Sequence, residues 1–394
     1  VEPQADLKDV PFKEAIDHHR QKVSLPTEAW TDLVEGAHAR AFVVAGATRA
    51  EVIEGFRTAV DKALAEGTTL AEFRKAFDRI VAATGWQHKG TPGWRSRVIF
   101  ETNVRTAYAA GRWAQVQRQA ERLPYLRYSA ILDSRTRAAH RSWNGTILRV
   151  DDPWWRTHYP PNGWGCRCST IQLSERDLAR RGWQVSEAPA DQSVPKVIRS
   201  RGQKVAVETP QGIDPGWAYN PGEAAWGRSE QAIALEAHGP WTPLEGPLPA
   251  ASRPLPPIVE PRAALGPAAE SPADAAAAAR AALGGEAATF TDPAGERVRA
   301  TEAIAALIEA DNGLVPWLPR LRETVEAPSE IWVGFLRSEA SGRVLLRRRY
   351  VRRFVEGSAV VDIDRGLVTG LRVLGTALLE RLRAGLLIWP RSGE

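Results

Sequence analysis

Both cysteines of this 394-residue chain, Cys166 and Cys168, lie one residue apart in the segment PPNGWGCRCST. In a strand, residues i and i+2 share a face, so an extended CRC places two sulfurs side by side and turns Arg167 away. A disulfide across a single intervening residue would be badly strained, and reduced thiols are expected. DSRTRAAH, just upstream, holds Asp133 and His140, and the following loop adds His158. Two thiolates, a histidine and a further histidine or carboxylate make a tetrahedral set for structural zinc, although C-x-C is tighter than the usual zinc spacing. The alternative is that the thiols are small buried hydrophobes and His140 is hydrogen-bonded in the core. Arg135, Arg137 and Arg141 can pair with Asp133, Asp151 and Asp152, while Trp143, Trp154, Trp155 and Trp164 hold the loop down. Either way the segment is an anchor rather than a catalytic site, because no base flanks a nucleophile.

A second concentration of chemistry is RVLLRRRYVRRF, with Arg343, Arg347, Arg348, Arg349, Arg352 and Arg353 on one expected strand. Alternation sends Arg348, Tyr350 and Arg352 to one face and Arg347, Arg349 and Arg353 to the other. Guanidiniums beside a tyrosine suit RNA, since they grip phosphates bidentately, stack on bases and stabilise charge on a pentavalent phosphate. Such chemistry needs no metal when a ribose 2′-hydroxyl is the nucleophile, and no acidic pair of the two-metal type is present. The competing reading is a solvated strand face whose arginines deter edge pairing or meet Glu330, Glu339 and Glu356.

The elements that must carry these residues follow from pattern. Residues 11–119 read as helical: TRAEVIEGFRTAVDKALAEG steps its apolar positions by three and four, with Thr48 and Glu51 as a capping box and Gly67 as the stop. Thr69 opens a second helix, and WRSRVIFETNVRTAYAAGRWAQVQRQAER is a long third whose Ala107, Ala109, Ala110 and Gly111 point to close packing. LRYSAILD, TILRVDD and CRCSTIQL read as strands, and SERDLARRGW as a helix capped by Ser174 and Asp177. Prolines and lost periodicity make residues 189–288 an expected tether. Beyond it, TEAIAALIEADNG and PWLPRLRETVEAP read as helices, EIWVGFLR, RVLLRRRYVRRFVEG and SAVVDIDRG as a meander, and LRVLGTALLERLRAG as a closing amphipathic helix. The expected fold is α+β, divided into residues 1–188, 189–288 and 289–394. Charged residues make up 25% of the chain and the net charge is +5, a weak field over this length. No apolar run approaches the roughly 20 residues that span a bilayer, so no membrane partner is expected.

On the quoted residues the front of the chain resembles the phage Mu F-like minor head proteins, also called the phage head morphogenesis family. The resemblance is carried by Asp133, Arg135, Arg137 and His140, by Gly145, by Pro160 to Cys168, and by the upstream ETNVRTAYAAGRWAQ, Glu101 to Gln115; it covers about residues 30 to 183. It implies a virion protein near the portal vertex, required for head assembly or DNA delivery, with portal and capsid proteins as partners, and present in the host cytoplasm during assembly.

The rear of the chain, about residues 288 to 390, resembles the phage-encoded barnase-EndoU-colicin-RelE-like nucleases through Pro328, Glu330, Trp332 and Tyr350. That resemblance implies metal-independent ribonuclease activity, as a toxin carried in the particle. No histidine occurs from residue 289 onward, which excludes a histidine acid/base pair. The catalytic candidates are therefore Arg349, Tyr350 and Arg383, with Arg347, Arg348, Arg352 and Arg353 as nucleic-acid contacts.

Overall fold

The structure is a computed structural model describing residues 11–229, 239–246, 253–301, 304, 307, 308 and 311–390. It resolves into two compact units, Val1–Thr242 with Gly246–Leu248 and Arg337–Val344, and Pro243–Glu245 with Pro249–Leu336 and Leu345–Glu394. Both mix helices with sheets, as the α+β expectation held. Among the described residues no helix is long and apolar enough to cross a membrane.

The first unit opens with α1 (Lys13–Arg20), then β1 (Val23–Ser24) and β2 (Ala41–Phe42), and three longer helices, α2 (Ala50–Glu66), α3 (Leu70–Thr84) and α4 (Pro92–Arg118). Thr69 and Glu72 form a reciprocal capping box on α3, and Thr91 with Pro92 starts α4. The box expected from Thr48 and Glu51 does not form; α2 begins at Ala50 behind an extended Arg49 with no side-chain cap. Apolar faces of α2 and α3 meet in a core where Phe56 packs on Phe73, Phe77 and Trp86. The small stripe on α4 does what its composition suggests. A Cβ at Gly111 would stand 2.8 Å from the Ala15 nitrogen, so α1 lies directly on the backbone of α4.

At the end of α1, His18 and His19 are 2% and 1% exposed. Burial, aided by the charge of Lys22, lowers both below the ordinary imidazole range, His19 to about 4 and His18 well below 6.5. A histidine that stays neutral when folded but takes a proton when unfolded stabilises the native state above pH ~6.5, and that contribution is lost as pH falls through the folded value. For His19 the gap amounts to roughly 3 kcal/mol. Denaturation midpoints of the whole chain, followed by tryptophan fluorescence, are expected to fall steeply between pH 6.5 and 4 and less steeply in His19→Gln. A flat profile would remove this account.

Past α4 comes a three-stranded antiparallel sheet in the order β4 (Ile147–Arg149), β3 (Tyr125–Ser129), β5 (Ser169–Leu173). Short helices α5 (Ala138–Ser142) and α6 (Trp155–His158) lie in its connections, and α7 (Glu175–Arg181) follows with the expected Ser174–Asp177 box. Cys166 and Cys168 fall in the irregular lead-in to β5, not in the strand itself. Residues 189–288, expected as a tether, carry regular structure: the hairpin β6 (Ser193–Ser200) and β7 (Gln203–Pro210), α8 (Pro221–Trp226), β8 (Trp241–Leu244) and α9 (Pro272–Leu283). The first hairpin escapes a hydrophobic reading because it is amphiphilic and largely exposed, with Val197 70% accessible.

The second unit is built on a sheet in the order β15-β11-β12-β13-β14-β10-β9. These strands are β9 (Ala287–Thr291), β10 (Arg297–Thr301), β11 (Glu330–Ser338), β12 (Val344–Phe354), β13 (Gly357–Asp364), β14 (Leu367–Leu374) and β15 (Leu386–Trp389). LRVL, expected to begin a helix, forms β14, and only Thr376–Leu382 is helical, as α11. Of the helix expected over TEAIAALIEADNG, residues 302, 303, 305, 306, 309 and 310 lie outside the described residues; Ile304, Leu307 and Ile308 are helical, and Ile304 and Ile308 are buried. PWLPRL turns as a 3-10 helix, Asn312–Arg320, because its two prolines deny α-helical donors, and α10 (Leu321–Glu326) follows. On one face of the sheet α9, the 3-10 helix and α10 cover Tyr350, Val361 and Ile363. On the other, Leu379 of α11 covers Trp332, Val351 and Val360.

Candidate functional site

Cys166, Cys168 and His140 come together. The Nδ1 atom of His140 is 3.5 Å from the Cys168 sulfur and 3.8 Å from that of Cys166, and the three ligand atoms all lie within 4.8 Å of one another. Neither cysteine is in a disulfide. Nε2 of His140 meets the carbonyl oxygen of Gly212 at 3.0 Å; that oxygen only accepts, so Nε2 carries the ring proton and Nδ1 presents a lone pair to the sulfurs. The hydrogen bond from Cys168 lowers the Cys166 thiol, and that same bond, with burial, raises Cys168.

Each member is held from a different part of the unit. His140 sits on α5 and stacks on Trp143, with ring centres 5.1 Å apart. Arg105 of α4 donates to the carbonyl of Cys166 at 2.9 Å, which ties the helix motif of residues 101–115 to the thiol segment. Asp214 accepts from Arg137 at 2.5 Å and from the Trp164 nitrogen at 2.9 Å, closing the loop over Gly163. Beneath lies an aromatic core of Trp113, Tyr128, Trp143, Trp154, Trp155 and Trp217.

Two residues expected in a metal set lie outside the cluster. Asp133 is taken by Arg167 at 2.6 Å and by the Arg135 nitrogen, and the Arg167 hydrogen bond holds its carboxyl well below the usual range. His158 stacks flat on Trp154 at 4.3 Å and meets the Thr157 hydroxyl through Nδ1, so tryptophans rather than thiols surround it. Arg141 donates to the Asp133 carbonyl, and Asp151 pairs with Arg149. Gly212, by contrast, was hidden in what read as a tether. Its φ of +92° and a would-be Cβ only 2.5 Å from that of Ala139 show that glycine is required there.

The arginine strand has the alternation expected of it, but each of its cations already holds an acceptor of the chain. Arg349 lies bidentately on Asp362 at 2.7 and 3.0 Å, and Arg347 on Asp364 at 3.3 Å. Arg348 bridges Asp292 and Glu296, Arg352 meets Glu323 at 2.7 Å, and Arg353 donates to the Pro256 carbonyl. Arg383 makes two bonds to Glu330, at 2.6 and 2.5 Å. Arg349 also donates to the Leu382 carbonyl, next to Arg383, so these two candidates stand on the same face. Tyr350 does not join them: it is 0% exposed on the opposite face, its hydroxyl donates to Asp292 at 2.7 Å, and burial raises it. The carboxylate partners Asp292, Asp362 and Asp364 were not singled out from the sequence.

The chain has a helical front that carries the thiol–histidine cluster and a separately cored α+β unit, and a family model matches part of each. Residues 54–171 match the family model of phage Mu protein F like proteins, and residues 275–390 that of the phage-Barnase-EndoU-ColicinE5/D-RelE like nuclease2 family. The chain is similar to the Mu-like prophage FluMu F protein of Haemophilus influenzae, 40% identical over 221 residues, covering 50% of this chain and 53% of that protein. It is also similar to the putative capsid assembly protein F of Escherichia phage Mu, 36% identical over 254 residues, 57% of each. The chain thus spans about half the length of the curated relatives it matches. No solved structure matches it.

Proposed function

We propose that this chain is a minor head protein of a phage or prophage, acting in head morphogenesis or DNA delivery. It docks on portal and capsid proteins through its first unit and resides in the virion, in the head interior or at the portal vertex, after passing through the host cytoplasm during assembly. The observation that carries this reading is the 36% identity over 254 residues to a capsid assembly protein. The clasp supports it, because a loop pinned by Arg105, Asp214 and a buried aromatic core suits a docking body. Deleting the gene from the phage that encodes it is expected to leave heads unassembled or unable to deliver DNA, and mass spectrometry of purified virions to detect the chain. Normal infectious heads that lack the polypeptide would overturn the proposal.

A second reading, ribonuclease action by the rear unit, is favoured by the match over residues 275–390. Chemistry there falls to Arg349 with its carboxylate Asp362, Tyr350 and the Arg383–Glu330 pair being sealed from substrate. RNA cleavage by the full chain in the presence of EDTA supports this reading. Salt-sensitive DNA binding without scission points to contact with packaged DNA instead.

A further inference from the structure

We propose that Cys166, Cys168 and His140 bind a single zinc ion, which staples α5 to the lead-in of β5. Two distances carry the argument. Zinc–sulfur bonds of about 2.3 Å and zinc–nitrogen bonds of about 2.0 Å at tetrahedral angles separate a sulfur from a nitrogen ligand by about 3.5 Å. The two sulfur–nitrogen separations are 3.5 and 3.8 Å. A lone hydrogen bond does not account for the arrangement, because Nδ1 has one lone pair and faces two sulfurs at once. Gly212 supplies the supporting shell: its carbonyl binds the opposite ring nitrogen and fixes the tautomer that leaves Nδ1 free, the role a backbone carbonyl plays behind metal-bound histidines.

The chemistry of the donor set selects the metal. Two sulfurs and an imidazole suit zinc, while a chain with two cysteines cannot supply the four thiolates of an iron–sulfur cluster. Among the described residues no fourth histidine, cysteine or carboxylate belongs to the cluster. A small surface cavity lined by Thr136, Arg137, Gly165 and the three ligands reaches it, so the fourth position goes to water. Binding replaces the two thiol protons, which leave to solvent, so the thiolates neutralise the ion's charge. This role is independent of what the module docks on.

The test uses the full chain expressed in zinc-containing medium. Elemental analysis is expected to find one zinc per chain, and replacement by cobalt to give the visible absorption of tetrahedral cobalt with thiolate charge-transfer bands. EDTA is expected to strip the metal and lower the melting temperature, with zinc restoring it. Cys166→Ser and Cys168→Ser should each lose the charge-transfer intensity of one sulfur and most of the bound metal. Where these variants do not fold, the metal content and cobalt spectrum of the unaltered chain decide. A folded, metal-free chain whose thiols react freely with or without added zinc would overturn the proposal, as would a Cys166–Cys168 disulfide or a different resident metal.

Discussion

Arg383→Ala is expected to destabilise the second unit by about 3–5 kcal/mol, a large part of the roughly 5–15 kcal/mol that holds a native domain folded. Arg383 and Glu330 have side chains only 5% and 8% exposed and are joined by two short hydrogen bonds. Removing the guanidinium leaves a carboxylate buried without its counter-charge, and water cannot reach it as a substitute. Glu330 also accepts from the Trp332 indole at 2.9 Å, so the same loss disturbs the packing of Trp332 against Val351 and Leu379. Arg383→Met with Glu330→Gln removes both charges and keeps an amide oxygen for the indole. That pair is expected to recover most of the loss, since neutral replacement of a buried ion pair is far milder than breaking it. Urea denaturation followed by far-UV circular dichroism distinguishes the two. A single variant within about 1 kcal/mol of the parent would mean that the pair is solvated or dispensable.

That expectation bears on the enzyme reading. Were RNA cleavage to disappear in Arg383→Ala, unfolding would explain it as well as lost chemistry. Arg349→Lys keeps a cation opposite Asp362 but loses the planar fork, which makes it the sharper probe, provided its melting temperature matches the parent's.

Local pattern carried the helices and the alternating strand well. Thr69 with Glu72, Ser174 with Asp177, and the small stripe on α4 each express a short-range rule, and each appears in place. The errors arose where tertiary context decides. LRVL has the apolar content of either a helix or a buried strand, and pairing with β13 made it β14. The hairpin at 193–210 was hidden because both its strands are mostly solvent-facing and carry no apolar run. In the thiol site, His140, Cys166 and Cys168 were legible from residue type, yet nothing in spacing separates His140, which faces the sulfurs, from His158, which tryptophan stacking claims.

The pairing of the arginines was more nearly within reach. With Phe354 opposite Gly357, antiparallel register places Arg349 across from Asp362 and Arg347 across from Asp364. Opposite charges directly across a ladder neutralise one another. VVDID and RRRYVRR are therefore one cross-strand ion-pair system.

Gly212→Ala, finally, is expected to lower zinc affinity about 10–100-fold, the usual effect of disturbing the group behind a metal-bound histidine, and to destabilise the first unit by about 2 kcal/mol. Gly212 sits at φ +92°, where a side chain is strained, and its Cβ would come within 2.5 Å of the Ala139 Cβ and 2.7 Å of the Trp143 ring. Ala139 adjoins His140, and Trp143 is the ring on which His140 stacks, so the added methyl pushes on both supports of the imidazole while pulling its carbonyl partner away. Zinc-loaded and zinc-stripped melting temperatures separate the two effects. Backbone strain lowers both equally, whereas loss of the carbonyl that orients Nε2 also shrinks the difference between them. If Gly212→Ala kept the full zinc-dependent increment, the carbonyl would be a bystander, and the orientation of His140 would rest on its stacking with Trp143 alone.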